Sequence, residues 1–133
     1  MDYMLRFEEL GPERTFASAE LQDRANSNPW TKARQQYRVW CGEVEAAYLS
    51  FDIHWPDEIN LYELWVVGEL RGRGIGASCV RFAIELTKQF GKPRLSVRPG
   101  PLDGRSKAEN RKWYRKQGFK PMKGEPDLLE IVV

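Results

Sequence analysis

The densest run of chemically usable residues is Val66-Val67-Gly68-Glu69-Leu70-Arg71-Gly72-Arg73-Gly74-Ile75-Gly76, which joins an apolar stretch to an amphipathic one. Closely spaced glycines let the backbone turn tightly and leave its N–H groups unshielded by side chains. A helix beginning at the same point adds unpaired N–H donors and a partial positive charge. Together these features seat a phosphate or diphosphate, and Arg71 and Arg73 add charge-assisted contacts. Two nucleotide-binding patterns are excluded by detail. A P-loop closes on Gly-Lys-Ser or Gly-Lys-Thr, whereas here the helix opens Gly76-Ala77-Ser78. A dinucleotide fingerprint needs a third glycine where Cys79 stands, and an acid at the end of the next strand, which carries Arg94, Ser96 and Arg98 instead. What remains is Arg-x-x-Gly-x-Gly, from Arg71, Gly74 and Gly76. About 40 residues later comes a second cluster, Trp113-Tyr114-Arg115-Lys116-Gln117-Gly118-Phe119.

The glycine run needs a strand before it and a helix after it, and the hydrophobic pattern supplies both. Residues Ile59 to Val67 are apolar on nearly both faces, the mark of a central strand. From Gly74 to Phe90 the period becomes helical, with Ile75, Cys79, Ala83, Leu86 and Phe90 on one stripe, and Gly91 and Pro93 as the stop. Alternation predicts further strands over Tyr3 to Leu10, Tyr37 to Cys41, Val44 to Ile53, Arg94 to Arg98, Phe119 to Met122 and Leu128 to Val133. A helix is expected from Pro12 to Ala25 with Phe16, Leu21 and Ala25 inward, broken by Asn26-Ser27-Asn28-Pro29. Ser106-Lys107-Ala108-Glu109 reads as a capping box opening a helix that runs to Gln117. The order β-α-β-β-β-α-β-α-β-β implies an α+β arrangement, a mixed sheet flanked by helices.

Composition is that of one globular domain spanning 1–133. The chain has 133 residues, 41% hydrophobic, with 21 basic and 19 acidic residues for a net charge of +2. That charge does not demand nucleic acid. The basic residues Lys107, Arg111, Lys112, Arg115, Lys116 and Lys120 spread around their helix as a solvated surface does, so nucleic acid is not an expected partner. Cys41 and Cys79 form no CxxC pair, and neither they nor the lone His54 suggest a metal site. Acids near the start do not suit a signal peptide, and no apolar run is long enough for a membrane span. A cytoplasmic protein without membrane association is expected.

From about Tyr37 to Met122 the chain resembles the GNAT superfamily of acetyl-CoA-dependent N-acetyltransferases. The glycine run is similar to the family's motif A, and the Trp113–Phe119 stretch resembles its aromatic-Tyr-x-x-x-Gly-Phe signature. The resemblance implies a mostly antiparallel sheet of six to seven strands, splayed between the strands at 59–67 and 94–98 to admit the pantetheine arm of acetyl-CoA. It implies cofactor contacts from Leu64, Trp65 and Val66, with the Val66 N–H near the acetyl carbonyl. Arg71, Gly72, Arg73, Gly74, Ile75 and Gly76 are expected to hold the diphosphate. Tyr114 falls at the family's position for the acid that protonates the CoA thiolate; its alternative is a core aromatic beside Trp113. Many relatives carry Asn seven residues before the tyrosine, where this chain has Lys107, so that polar role falls to Lys107 or to Asn110.

The base is where this chain departs from the family. Relatives often carry a carboxylate on the strand before motif A, and strict alternation puts Asn60, Tyr62, Leu64 and Val66 on one face, with Glu63 on the other unless a bulge intervenes. A water chain, Glu58, Tyr62 or His54 remain as alternatives, as does an amine that arrives neutral. Trp30, Trp40, Trp55 and Tyr62 are candidates for an acceptor wall or for buried packing. The resemblance therefore implies acetyl transfer to a primary amine on a small molecule or protein, in a monomer or homodimer. A non-catalytic acyl-CoA-binding module is the alternative.

Overall fold

A computed structural model describes residues 4–102 and 104–133. Tyr3, in the first expected strand, and Asp103, in the connection after the fifth, lie outside the described residues. The elements are β1 (Leu5–Leu10), α1 (Ala19–Asn26), β2 (Arg34–Cys41), β3 (Val44–Asp52), β4 (Ile59–Val66), α2 (Ile75–Gln89), β5 (Arg94–Val97), α3 (Lys107–Lys116), β6 (Lys120–Met122) and β7 (Glu125–Val132). A 3₁₀ turn over Gly68–Leu70, which periodicity does not reveal, follows β4. The strands form one sheet in the order β1-β2-β3-β4-β5-β7-β6. Every neighbouring pair is antiparallel except β4 with β5. The α+β expectation therefore holds, with seven strands among the described residues.

One face of the sheet buries Val39, Ala47, Leu49, Phe51, Ile59 and Leu61 beneath Ile75, Cys79, Val80, Ala83 and Leu86 of α2. Phe90, expected on that stripe, is instead the C-terminal cap residue of the helix and is 40% exposed. The opposite face carries α1 through Leu21 and Ala25, packed with Leu10, Phe16 and Tyr48. α1 begins seven residues later than the Pro12 start expected for it. Arg14 explains the delay, because its Nη1 donates to Ala25 O at the far end of the helix and to Gln36 Oε1 in β2, drawing the preceding segment across the sheet. Ser18 then caps the helix, its Oγ accepting from the Leu21 N–H at 3.2 Å. Phe16 keeps its inward place from outside the helix, edge-on to Tyr48 at 6.1 Å. The Ser106–Glu109 capping box forms as read, with both hydrogen bonds at 3.1 Å.

Burial raises the phenols of Tyr37 and Tyr48 to about 12. Unfolded tyrosine loses its proton near 10. The folded state therefore holds these protons more tightly, and their contribution is complete below pH ~10 and lost as pH climbs toward the folded values. Stability should fall over that alkaline window. Tyr48→Phe should flatten the fall, as read by thermal melts at stepped pH with tyrosinate absorbance in parallel.

Candidate active site

β4 and β5 pair only over Ile59–Leu61 against Leu95–Val97. Beyond that point β4 stays with β3, while the chain after β5 swings away through Pro99, Gly100 and Pro101. The strands part around a cleft of about 600 Å³ lined by Leu64, Val66, Arg71, Gly72, Gly74, Ile75, Gly76, Asn110 and Tyr114 among others. The Val67 N–H donates to Ala46 O on β3 at 2.9 Å. Backbone groups alternate sides along a strand, so the Val66 N–H points to the opposite, opened edge.

The end of the cleft is built by the glycine run. Gly74 sits at the N-cap of α2 with φ 84°, a left-handed conformation that side chains disfavour. Among the described residues no side chain caps this helix. The first α2 backbone bond is Ser78 N–H to Gly74 O. Among the described residues, the N–H groups of residues 72–77 have no acceptor within the protein. Gly76 serves another purpose: a Cβ there would lie 3.0 Å from Cζ2 of Trp113, so its absence lets α3 close on the start of α2. The Arg71 Nε donates to Val66 O at 2.9 Å, folding the guanidinium back over the loop entrance. Burial lowers the Arg71 pKa from its ordinary value.

α3 forms the other wall. Asn110 reaches the cleft and its Nδ2 donates to Gly100 O at 2.7 Å, pinning the connection after β5. Lys107 instead pairs with Asp127 at 3.1 Å on the surface, which places Asn110, not Lys107, at the cleft. Tyr114 lies edge-on to Trp113 at 5.0 Å and to Phe119 at 5.5 Å. Burial drives its phenol well above the usual tyrosine value. Cys79, raised to about 12 by burial, lies in the core outside the cleft lining and is an inert thiol.

Several expected positions move. Trp65 does not line the cleft: its indole turns to the α1 side, where Nε1 donates to Glu20 Oε2 at 2.6 Å. Arg73 is exposed and also outside the lining. Strict alternation along β4 fails. Ser50 pairs with Glu63 but Phe51 pairs with Leu61, so Tyr62 is an extra residue in a bulge. Leu61, Leu64 and Val66 consequently share the α2 face, while Glu63 and Trp65 meet α1. Asn60 lies on the far side, its Nδ2 donating to Ser96 Oγ at 3.0 Å.

The base candidates separate in the same way. His54 is exposed on its loop beside Trp55, 4.6 Å between ring centroids, and does not reach the cleft. Glu58 is tied to Arg94 and Ser96. Tyr62 lines the cleft, with the Arg34 guanidinium 3.7 Å over its ring. Glu63 lines it too, only 8% exposed, but Arg24 holds both carboxylate oxygens at 2.6 and 2.7 Å and Asn28 adds a third bond. Of the other aromatics, Trp40 bonds Glu8 and Trp30 lines a separate shallow depression. Glu63 does face away from Leu64 and Val66, as alternation gives, and still lines the cleft, because the cleft opens where β4 and β5 part. Leu102 and Arg105 were missed as cleft residues; their signal was only the long Pro/Gly connection.

Among the described residues no cluster of His, Cys, Asp and Glu could hold a metal ion, and no helix is long and apolar enough to cross a membrane. Residues 35–121 match the family model described as an acetyltransferase (GNAT) domain. No curated protein matches the sequence. The fold is similar to a GNAT family acetyltransferase from Elizabethkingia anophelis with acetyl-CoA bound, at TM-score 0.71 and 12% identity, covering 97% of this chain and 98% of that one. It is also similar to a Bacillus subtilis acetyltransferase in complex with CoA, at TM-score 0.74 and 18% identity, covering 97% and 99%. A KacTA–DNA complex is similar at TM-score 0.69 and 15% identity, covering 97% and 93%.

Proposed function

We propose that this chain, which belongs to the GNAT acetyltransferase family, moves an acetyl group from acetyl-CoA to a primary amine by direct attack in a ternary complex. The observation that carries the proposal is the row of N–H groups over residues 72–77, without acceptors among the described residues and set at the end of a cleft between parting strands. In this reading those amides and Arg71 hold the diphosphate. Leu64 and Val66 pair with the pantetheine arm through the open edge of β4, whereas the main chain of Trp65 faces β3. The Val66 N–H stabilises charge on the acetyl oxygen during attack. Asn110 holds the far wall in place, and Tyr114 gives a proton to the departing thiolate. Both Glu63 oxygens are bonded to Arg24, so this reading has the amine arrive neutral or lose its proton through water. The reading takes the whole chain as one cytoplasmic domain whose partner is the acceptor amine. Nucleic acid is left out of this reading, because the basic residues of the helix are spread around it rather than gathered in one patch, and Arg111 and Lys107 bond Pro126 O and Asp127.

Saturating acetyl-CoA should raise the melting temperature. At a hundredfold excess over Kd the gain is about 2.7 kcal/mol, or roughly 8–12 °C for a domain of this size. Thiol release across a panel of amines should then detect turnover. No shift with acetyl-CoA removes the assignment. A shift without turnover on any amine favours the acyl-CoA-binding module, a reading supported by the occupied oxygens of Glu63.

A further inference from the structure

Trp65 lies outside the cleft, yet its side chain is tied both to α1 and to Arg71 of the glycine run. The guanidinium of Arg24 lies 4.8 Å from its ring centroid and that of Arg71 lies 5.0 Å away. Its indole N–H donates to Glu20 Oε2 at 2.6 Å, and the same oxygen accepts the Gly68 N–H at 3.1 Å. Glu20 thus bridges the last part of β4 and the 3₁₀ turn that leads into the glycine run. Arg71 closes the loop from the other side through its bond to Val66 O. Two cations over one indole repel each other, and each has a compensating carboxylate: Glu63 binds Arg24 directly, and Glu20 acts on Arg71. A cation over an indole face is held by the ring quadrupole as well as by its charge partners. Arg71 is therefore fixed by a ring that is itself fixed to α1.

We infer that Glu20 and Trp65 form a positioning clamp that sets Arg71 against the acetyl-CoA diphosphate, so that helix α1 governs cofactor affinity without touching the cofactor. The inference rests on the acetyl-CoA reading above. Neither residue is catalytic; both act through Arg71. Glu20 is the more informative to vary, because glutamine keeps an oxygen able to accept from both Trp65 and Gly68, whereas alanine keeps none.

The test is a cycle of acetyl-CoA affinities, measured calorimetrically on wild type, Glu20→Ala, Arg71→Ala and the double variant, with Glu20→Gln and Trp65→Phe beside them. Glu20→Ala should weaken binding by roughly 5–10-fold, through loss of the oxygen that holds both the Trp65 and Gly68 N–H groups. It should weaken binding less than about twofold further once Arg71 is already alanine, because residues acting through one partner are not additive. Glu20→Gln should stay within about twofold of wild type. Trp65→Phe keeps a ring but loses the N–H donor and should fall between Glu20→Gln and Glu20→Ala. It stands in for Glu20→Ala should that variant not fold. Equal losses in the two Arg71 backgrounds would mean that Glu20 only supports the fold, and would overturn the clamp. So would an unaltered Glu20→Ala, or a Glu20→Gln as weak as the alanine. A wild type that does not bind acetyl-CoA sinks the underlying assignment instead, an outcome plainly different from additive losses.

Discussion

Tyr114→Phe is expected to lower turnover by about 10²-fold while acetyl-CoA affinity stays within roughly twofold of wild type. The ring is held edge-on between Trp113 and Phe119, so phenylalanine fills the same space and only the hydroxyl is lost. Burial keeps that hydroxyl protonated throughout the physiological range, which makes it a standing donor and an ineffective base. A departing CoA thiolate has a proton affinity near that of cysteine, roughly 8.5. Full transfer from a phenol raised above its usual value is uphill, so the gain comes from a hydrogen bond that tightens as thiolate charge develops. That places the effect at the low end of general acid catalysis. Titration of Tyr114 should produce no alkaline limb below pH ~10 in the rate profile. Steady-state kinetics with an accepted amine, alongside calorimetric acetyl-CoA binding, measure the two quantities separately. Wild-type turnover from the phenylalanine variant would return Tyr114 to the role of a core aromatic.

Arg24→Ala should lower the unfolding free energy by about 2–3 kcal/mol, at or just under the usual cost of breaking a fully buried ion pair because Arg24 keeps some contact with water. It leaves the Glu63 carboxylate, 8% exposed, with Asn28 as its remaining partner. It also removes one of the two cations over Trp65. A melting-temperature loss of roughly 10 °C should follow. Replacing both partners by leucine should recover much of it, since the cost lies mainly in the orphaned charge. Denaturant melts of the single and double variants decide the matter. A double variant no better than Arg24→Ala would show that this pair contributes more than the desolvation of its members. The same measurement bears on chemistry. If Glu63→Gln costs stability but leaves turnover intact, the amine proton leaves by another route.

The boundary between what is legible along the chain and what is not runs through β4 and the segments around it. Local signals were sufficient for the elements flanking the site. The spacing of Arg71, Gly74 and Gly76 placed the start of α2, and the Ser106–Glu109 box placed the start of α3. Each depends on residues within one or two turns of one another. The start of α1 was misread because Arg14 answers to Gln36, a partner 22 residues away.

The amino-acid sequence by itself determined the order of strands and helices, the row of unshielded amides ahead of α2, and the aromatic pair Trp113-Tyr114 on the opposing wall. These follow from periodicity, glycine content and capping chemistry, all short-range. Tertiary structure alone decided that Tyr62 bulges, that Glu63 and Trp65 consequently turn toward α1, that Asn110 rather than Lys107 reaches the cleft, and that Arg73 does not. Strand register is set by the partner strand, and one extra residue reverses the face of everything beyond it. No window of neighbouring residues contains that information, because it arises when β3 and β4 choose how to pair.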